Sequence, residues 1–230
     1  MSTSSVSETN ACWSCGSATG GAHFCPACGK IQPLPRGMDF FAFFGLPQKL
    51  WMEMGALEQK FHALSWKLHP DNFVRASEDE RQLSLERSSQ LNDAYRTLQD
   101  PVGRVEYLLA QAGMRKEGQT KQQAPPELLE EVFELNESLD ELRGARGSQT
   151  NGDELAALKE RLQEAQHGFE AKLRQVDAQL QDIAREWDAA LDASAGDAER
   201  RALMERMNAI LNRRSYIRNL VNNVQKELAQ

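Results

Sequence analysis

Basic excess, membrane-length hydrophobic runs and any cysteine after residue 28 are missing from this 230-residue chain, and each absence narrows what it does. The net charge is −7. From Pro125 onward 21 acidic residues face 14 basic ones, which accounts for the whole excess, while 13 acids and 13 bases cancel upstream. Binding to nucleic acid calls for Lys and Arg clustered against phosphates, so a nucleic-acid partner is not expected. No apolar run approaches the ~18–20 residues of a membrane span, so no membrane partner is expected either. The first ten residues are rich in Ser and Thr, carry Glu8 and lack Arg, so no secretory or mitochondrial leader is visible. Together these absences predict a soluble cytoplasmic protein with room for one or two cored domains.

All four cysteines lie in two matched pairs, Cys12-Trp13-Ser14-Cys15-Gly16 and Cys25-Pro26-Ala27-Cys28-Gly29. Each pair reads as a knuckle that aims two thiolates at one ion, with the Gly easing the turn. Four thiolates close a tetrahedral shell and leave no position for reactive water, which predicts one structural zinc on Cys12, Cys15, Cys25 and Cys28. Disulfides are disfavoured in a cytoplasmic chain; iron is the alternative ion for a thiolate set. His23 lies between the pairs and reads as a surface residue. With only Trp13 and Phe24 as aromatics, residues 12–31 need the metal for most of their folding energy. Residues 1–11 read as a disordered tail, and Gln32 to Gly37, with two prolines, as a linker.

From Met38 the pattern becomes helical. Asp39 caps a short aromatic helix closed by Gly45-Leu46-Pro47. Leu57, Phe61, Leu64 and Leu68 recur at four- and three-residue steps, marking one apolar stripe on a helix over roughly Glu53 to Leu68. Pro70 biases His69 away from helical angles, so the helix stops there and a polar loop follows. Ser77-Glu78-Asp79-Glu80 is a capping box that opens a helix carrying Leu83, Ser88, Leu91, Ala94, Tyr95 and Leu98, and Gln99-Asp100-Pro101 ends it. A further helix spans Val102 to Ala112. The tripeptide His69-Pro70-Asp71 therefore joins two antiparallel amphipathic helices.

The remainder is also helical. Pro125-Pro126 opens a helix through Arg143 with a stripe of Leu128, Leu129, Val132, Leu135, Leu139 and Leu142. A loop follows to Gly152. A long pattern then runs from Leu155 to Leu191, weakened locally at Gly168. Asp197 is expected to cap a last helix bearing Leu203, Met207, Ile210, Leu211, Ile217, Leu220 and Val224. Three amphipathic helices with short connections predict an antiparallel bundle. On the first of them Glu130, Glu134, Glu137 and Glu141 stack at helical spacing beside Leu129 and Phe133. Like charges at that spacing cost a few tenths of a kcal/mol per pair, about what simple solubility would tolerate.

Met38 to Met114 closely resembles the J-domain of the HscB family, the co-chaperones of iron–sulfur cluster assembly. The resemblance rests on Asp39-Phe40-Phe41-Ala42-Phe43-Phe44-Gly45-Leu46, His69-Pro70-Asp71-Asn72-Phe73, Leu91-Asn92-Asp93-Ala94-Tyr95-Arg96-Thr97-Leu98 and Pro101 through Leu109. Leu128 to Leu139 matches the family's next segment, and the tetracysteine module is similar to that of its eukaryotic and some bacterial branches. This implies that His69, Pro70 and Asp71 engage a DnaK/HscA-class chaperone and stimulate its ATPase. Lys60 and Lys67, seven residues apart on one helical face, are the candidates for electrostatic docking. In the family that helix is richer in Arg and Lys, and His62 and Trp66 stand where it is more polar or basic. The resemblance further implies that Leu129, Phe133, Glu134, Glu137, Glu141 and Tyr216 hold an IscU-type scaffold, with Glu130 where bacterial relatives carry Met.

The resulting expectation is an all-α chain: a zinc-ribbon-like module at 12–31, a J-domain at 38–114 and a scaffold-binding three-helix bundle at 125–230. It would act as a co-chaperone, not an enzyme. A generic J-domain protein with other clients is the alternative. A metal enzyme using the cysteines is the third reading, disfavoured because four thiolates leave no open ligand position.

Overall fold

A computed structural model describes residues 11–35, 37–115, 125–146 and 152–230. The predicted tail, apart from Ala11, and most of the loop before Gly152 lie outside these residues. Seven α-helices account for most of the described chain: α1 (Phe40–Phe43), α2 (Met54–Leu68), α3 (Glu78–Gln99), α4 (Pro101–Gln111), α5 (Leu129–Arg146), α6 (Gly152–Asp192) and α7 (Asp197–Leu228). The all-α class expected from periodicity is the one observed. The chain divides into two compact units, residues 1–104 and 105–230, with the division inside α4.

In the first unit, α1 starts where predicted because the Asp39 carboxylate accepts from the Ala42 amide at 2.7 Å. Its Phe41, Phe43 and Phe44 are all buried. Helices α2 and α3 run antiparallel, with Phe61 stacked on Tyr95 at a centroid distance of 4.1 Å. Leu57 and Leu68 of α2 are fully buried, as are Leu91, Ala94 and Leu98 of α3. Phe61 and Leu64 are half-buried. Ser77 caps α3 by accepting from the Glu80 amide at 3.4 Å. The expected return bond from Glu80 differs: its carboxylate accepts from the Ser77 hydroxyl at 3.2 Å and pairs with Lys30 at 3.0 Å. Asp100 caps α4 through the amides of Val102 and Gly103. A Cβ on Gly103 would lie 3.0 Å from the Thr97 carbonyl oxygen, so only glycine fits this tight helix-to-helix step without a shift.

In the second unit, a 3-10 turn over Pro126–Leu128 precedes α5, so regular helix starts three residues later than expected. It also runs past Arg143 to Arg146, and both arginines reach Glu227 on α7, at 2.6 and 3.1 Å. Helix α6 spans 41 residues, about 60 Å, and continues through Gly168 without a break. A turn through Ala193–Gly196 reverses the chain into α7. Gly196 occupies the cap position predicted for Asp197, which instead sits in the first turn and pairs with Arg200. Arg206–Glu186 and Arg214–Asp177 ion pairs set the register: numbering rises along α7 as it falls along α6. Leu128 of the 3-10 turn and Val132, Leu135, Leu139 and Leu142 of α5 share one core with Leu158, Leu162, Phe169 and Val176 of α6 and Ile217, Val221 and Val224 of α7. Leu129, predicted in the same stripe, is half out of it at 54% exposed.

Candidate functional site

The two cysteine knuckles fold as near copies. Cys12 N–H donates to Ser17 O and Gly16 N–H to Cys12 O; Cys25 N–H donates to Lys30 O and Gly29 N–H to Cys25 O, all at 2.8–2.9 Å. Gly16 and Gly29 both sit at φ +73°, which a β-carbon disfavours. The four Sγ atoms lie within 4.8 Å of one another, with Cys12–Cys28 at 3.6 Å and Cys15–Cys25 at 3.7 Å. Sulfurs around a tetrahedral ion with bonds of ~2.3 Å are about 3.8 Å apart, so the spacing fits one such ion and is far too long for disulfides. Burial opposes ionisation of Cys12, but the amides of Cys15 and Ser14 and the thiols of Cys28 and Cys15 outweigh it and draw its pKa down to about 6. Cys28 goes the other way, to about 12, because desolvation and the thiols of Cys15, Cys12 and Cys25 together overcome the helpful Lys30 amide. Four thiols this close do not all ionise without a cation among them. Gln32, read from sequence as linker, is 2% exposed and donates to Cys12 Sγ at 3.3 Å, so it belongs to the cysteine module.

His23 is not a surface residue. Its Nε2–H donates to the Phe43 carbonyl at 2.9 Å, its ring meets the Phe43 ring edge-on at 4.7 Å, and Nδ1 accepts from Arg87 Nη2 at 2.5 Å. Burial, more than the nearby Arg87 and Lys67 charges, holds its pKa below the ordinary value and keeps the ring neutral. Arg87 is 2% exposed and lies over the Phe43 ring at 5.4 Å; burial draws it down to about 10, still charged at neutral pH. With the Lys30–Glu80 pair, these contacts dock the cysteine module on α1 and α3. Sequence reasoning missed both His23 and Arg87, although Ser84 and Arg87 keep the three- and four-residue phase of Leu91, Ala94 and Leu98.

His69 adopts φ −58°, ψ 130°, the extended geometry its proline demands, and Pro70–Phe73 forms a 3-10 turn. The end of α2 is fixed from α3: the Ser84 and Ser88 hydroxyls both donate to the Leu68 carbonyl, at 2.7 and 2.9 Å, satisfying a group that a helix end leaves open. Asn72 Nδ2 donates to the Trp66 carbonyl at 2.6 Å, tying the loop to the helix. The His69 and Asp71 side chains are 54% and 86% exposed, with His69 Nδ1 accepting from the Asp71 amide at 3.3 Å. Lys60 donates to the Phe44 carbonyl at 3.1 Å, so part of its donor capacity serves the fold; Lys67 is exposed beside the tripeptide.

On α5, Leu129 and Phe133 are 54% and 71% exposed, while Glu134 and Glu137 line a groove of about 700 Å³ between α5 and α6, with Arg161 and Lys172 on its other wall. Glu141 pairs with Arg161 at 3.3 Å. Tyr216 is half-buried against the bundle core. Arg213, one turn before it, reaches Glu127, just ahead of α5, at 3.5 Å.

The "Co-chaperone protein HscB homolog" of Vibrio vulnificus is 36% identical over 141 residues, a match covering 56% of this chain and 82% of that relative. This chain belongs to the HscB co-chaperone family. The homolog of Vibrio parahaemolyticus is 40% identical over 105 residues, covering 46% of the chain and 61% of the relative, less than two thirds of its length. The family model described as "HSCB C-terminal oligomerisation domain" matches residues 124–225. Among solved structures, human co-chaperone protein HscB covers 94% of this chain and 98% of its own at TM-score 0.62 and 23% identity, a likeness of fold. Chaperone HscB from Vibrio cholerae covers 82% and 96% at TM-score 0.51 and 27% identity. The family is therefore the one that the motifs resemble. Among the described residues no helix is long and apolar enough to cross a membrane.

Proposed function

We propose that this chain stimulates the ATPase of a DnaK/HscA-class chaperone through His69, Pro70 and Asp71, and delivers to it an IscU-type iron–sulfur scaffold held on α5 and α7. The observation that carries the first half is the fixed presentation of the tripeptide. Two α3 hydroxyls clamp the helix before it and Asn72 braces the loop, while the His69 and Asp71 side chains stay open to solvent. A carboxylate held out this way suits a basic partner, and Pro70 limits the loop's freedom. Lys67 adds a positive charge beside it; Lys60 contributes less, being hydrogen-bonded to Phe44.

The second half rests on the exposed apolar pair Leu129 and Phe133, with Glu134, Glu137 and Glu141 on the same helix and Tyr216, half-buried, as the candidate on α7. Exposed aromatics ringed by charge are the composition of a protein-binding patch. In this reading residues 38–114 act on the chaperone, 125–230 hold the scaffold, and 12–31 bind one zinc. A zinc ion would cross-link the two knuckles and perform no chemistry, since the four cysteines use every ligand position. The protein would work in the cytoplasm.

Single-turnover ATP hydrolysis by the host's DnaK/HscA-class chaperones, with and without this protein and the scaffold, tests the proposal. Synergy that requires both proteins supports it. Stimulation indifferent to the scaffold leaves a generic J-domain protein with other clients. Full stimulation by His69→Gln overturns the role of the tripeptide.

A further inference from the structure

The most exposed large apolar residue among the described ones is Trp66, at 80%. It lies on the last turn of α2, four residues before Pro70, and contributes nothing to the core by its burial. Its backbone is nonetheless tied to the loop: the Asn72 side chain holds its carbonyl at 2.6 Å, so the base of the indole and the tripeptide keep one relative position. Val74, 67% exposed, stands on the other side of the tripeptide. An apolar side chain thus flanks each end of the polar loop.

Charges of both signs surround Trp66. One turn back, His62 faces Glu58 at 3.6 Å; Lys60 is bonded to the Phe44 carbonyl; Gln59 and Ala63 complete the same face without charge. Exposed Lys67 and Arg75 lie on either side of the exposed Asp71. Charged groups steer such an encounter, while desolvated apolar area supplies much of the affinity. A rigid indole is well suited to that, because it offers large area at low entropic cost.

We infer that Trp66 is the anchor by which the tripeptide face docks, inserting into an apolar recess on the chaperone beside the basic group that takes Asp71. The inference rests on the chaperone-stimulating role proposed above. It makes the chaperone's recess, beside its charge, a determinant of which chaperone is accepted. Trp66 acts in binding, while the tripeptide carries the signal to the ATPase.

The test is single-turnover ATP hydrolysis by the host's DnaK/HscA-class chaperones, titrated with the full chain as wild type, Trp66→Ala, Trp66→Phe, Trp66→Arg and His69→Gln. Trp66→Ala and Trp66→Arg should raise the half-saturating concentration by about tenfold or more, with maximal stimulation retained, the size expected for a truncated interface anchor. Trp66→Phe should stay within about threefold of wild type. His69→Gln should lose maximal stimulation. An unchanged titration for Trp66→Ala alongside a dead His69→Gln overturns the anchor and leaves the co-chaperone reading standing. Full stimulation by His69→Gln removes that reading. A Trp66→Ala variant that titrates normally but no longer self-associates in sedimentation would assign the indole to a second copy of this chain and overturn the inference.

Discussion

Replacing His23 by alanine should loosen the first unit where the cysteine module meets α1 and α3. The imidazole supplies the polar partner of a cation that is 2% exposed: among the described residues Arg87 Nε and Nη1 have no hydrogen-bond partner, and Nη2 ends on His23 Nδ1. Losing a hydrogen bond to a charged group costs about 1.5–3 kcal/mol, and losing the edge-on contact with Phe43 adds about 0.5–1.5 kcal/mol. Water entering the gap would return part of this, so a net loss of about 3 kcal/mol is expected. Hydrogen exchange of the full, metal-loaded chain reads it locally: amides of α1 and of α3 around Arg87 should exchange on the order of 100-fold faster, if they open with the unit as a whole. Metal content should stay at one ion per chain, because His23 is not a ligand. Adding Arg87→Met should recover most of the loss, since removing a buried charge together with its partner is close to neutral. A His23→Ala chain whose exchange changes less than about threefold, or a double variant no more protected than the single one, would refute the reasoning.

Chelation of the metal, or Cys12→Ser, should release the 12–31 module and expose Arg87 and Glu80; limited proteolysis would detect this as new cleavage between Ala11 and Pro35, with the helices of the second unit uncut. Phe133→Ala should weaken scaffold binding by about tenfold, measured by calorimetry, and leave scaffold-free ATPase stimulation intact, because at 71% exposed the ring does little for the core. The Glu227 carboxyl is held below its ordinary value of 4.5 chiefly by Arg143, with Arg146 adding to it. The folded chain therefore takes up this proton less readily than the unfolded one, so the contribution is fully present above pH 4.5 and is lost as pH falls below it. Exchange at the end of α7 should rise across that window, and Glu227→Gln should abolish the dependence there.

Elements whose cause is local were readable in the chain itself. Asp39, Ser77 and Pro70 act on amides one to three residues away, so the starts of α1 and α3 and the end of α2 fall where expected. The four cysteines carry their geometry in two five-residue turns. What escaped depends on neighbours distant in sequence. His23 meets a helix 64 residues on, and nothing around it marks it as an interface residue. Gln32 looks like the first residue of a proline-rich linker, yet its amide serves a thiol 20 residues earlier. Arg87 did leave a trace, since it falls in phase with the buried stripe of α3, but a charged residue at such a position is ordinarily assigned to solvent. Lys60 is expected on a docking face with Lys67; its bond to the Phe44 carbonyl, 16 residues earlier, has no local signal in the sequence.

The sharing of Arg87 between the module and α3 has a consequence for inheritance. A gene that lost its first 31 codons would leave the cation without its acceptor and Glu80 without Lys30, a burden at every later generation until position 87 changed. The module and this position should therefore be gained and lost together. Relatives lacking the four cysteines should carry an uncharged residue where Arg87 stands, and a graft of the module onto such a relative should need both His23 and an arginine there to seat properly.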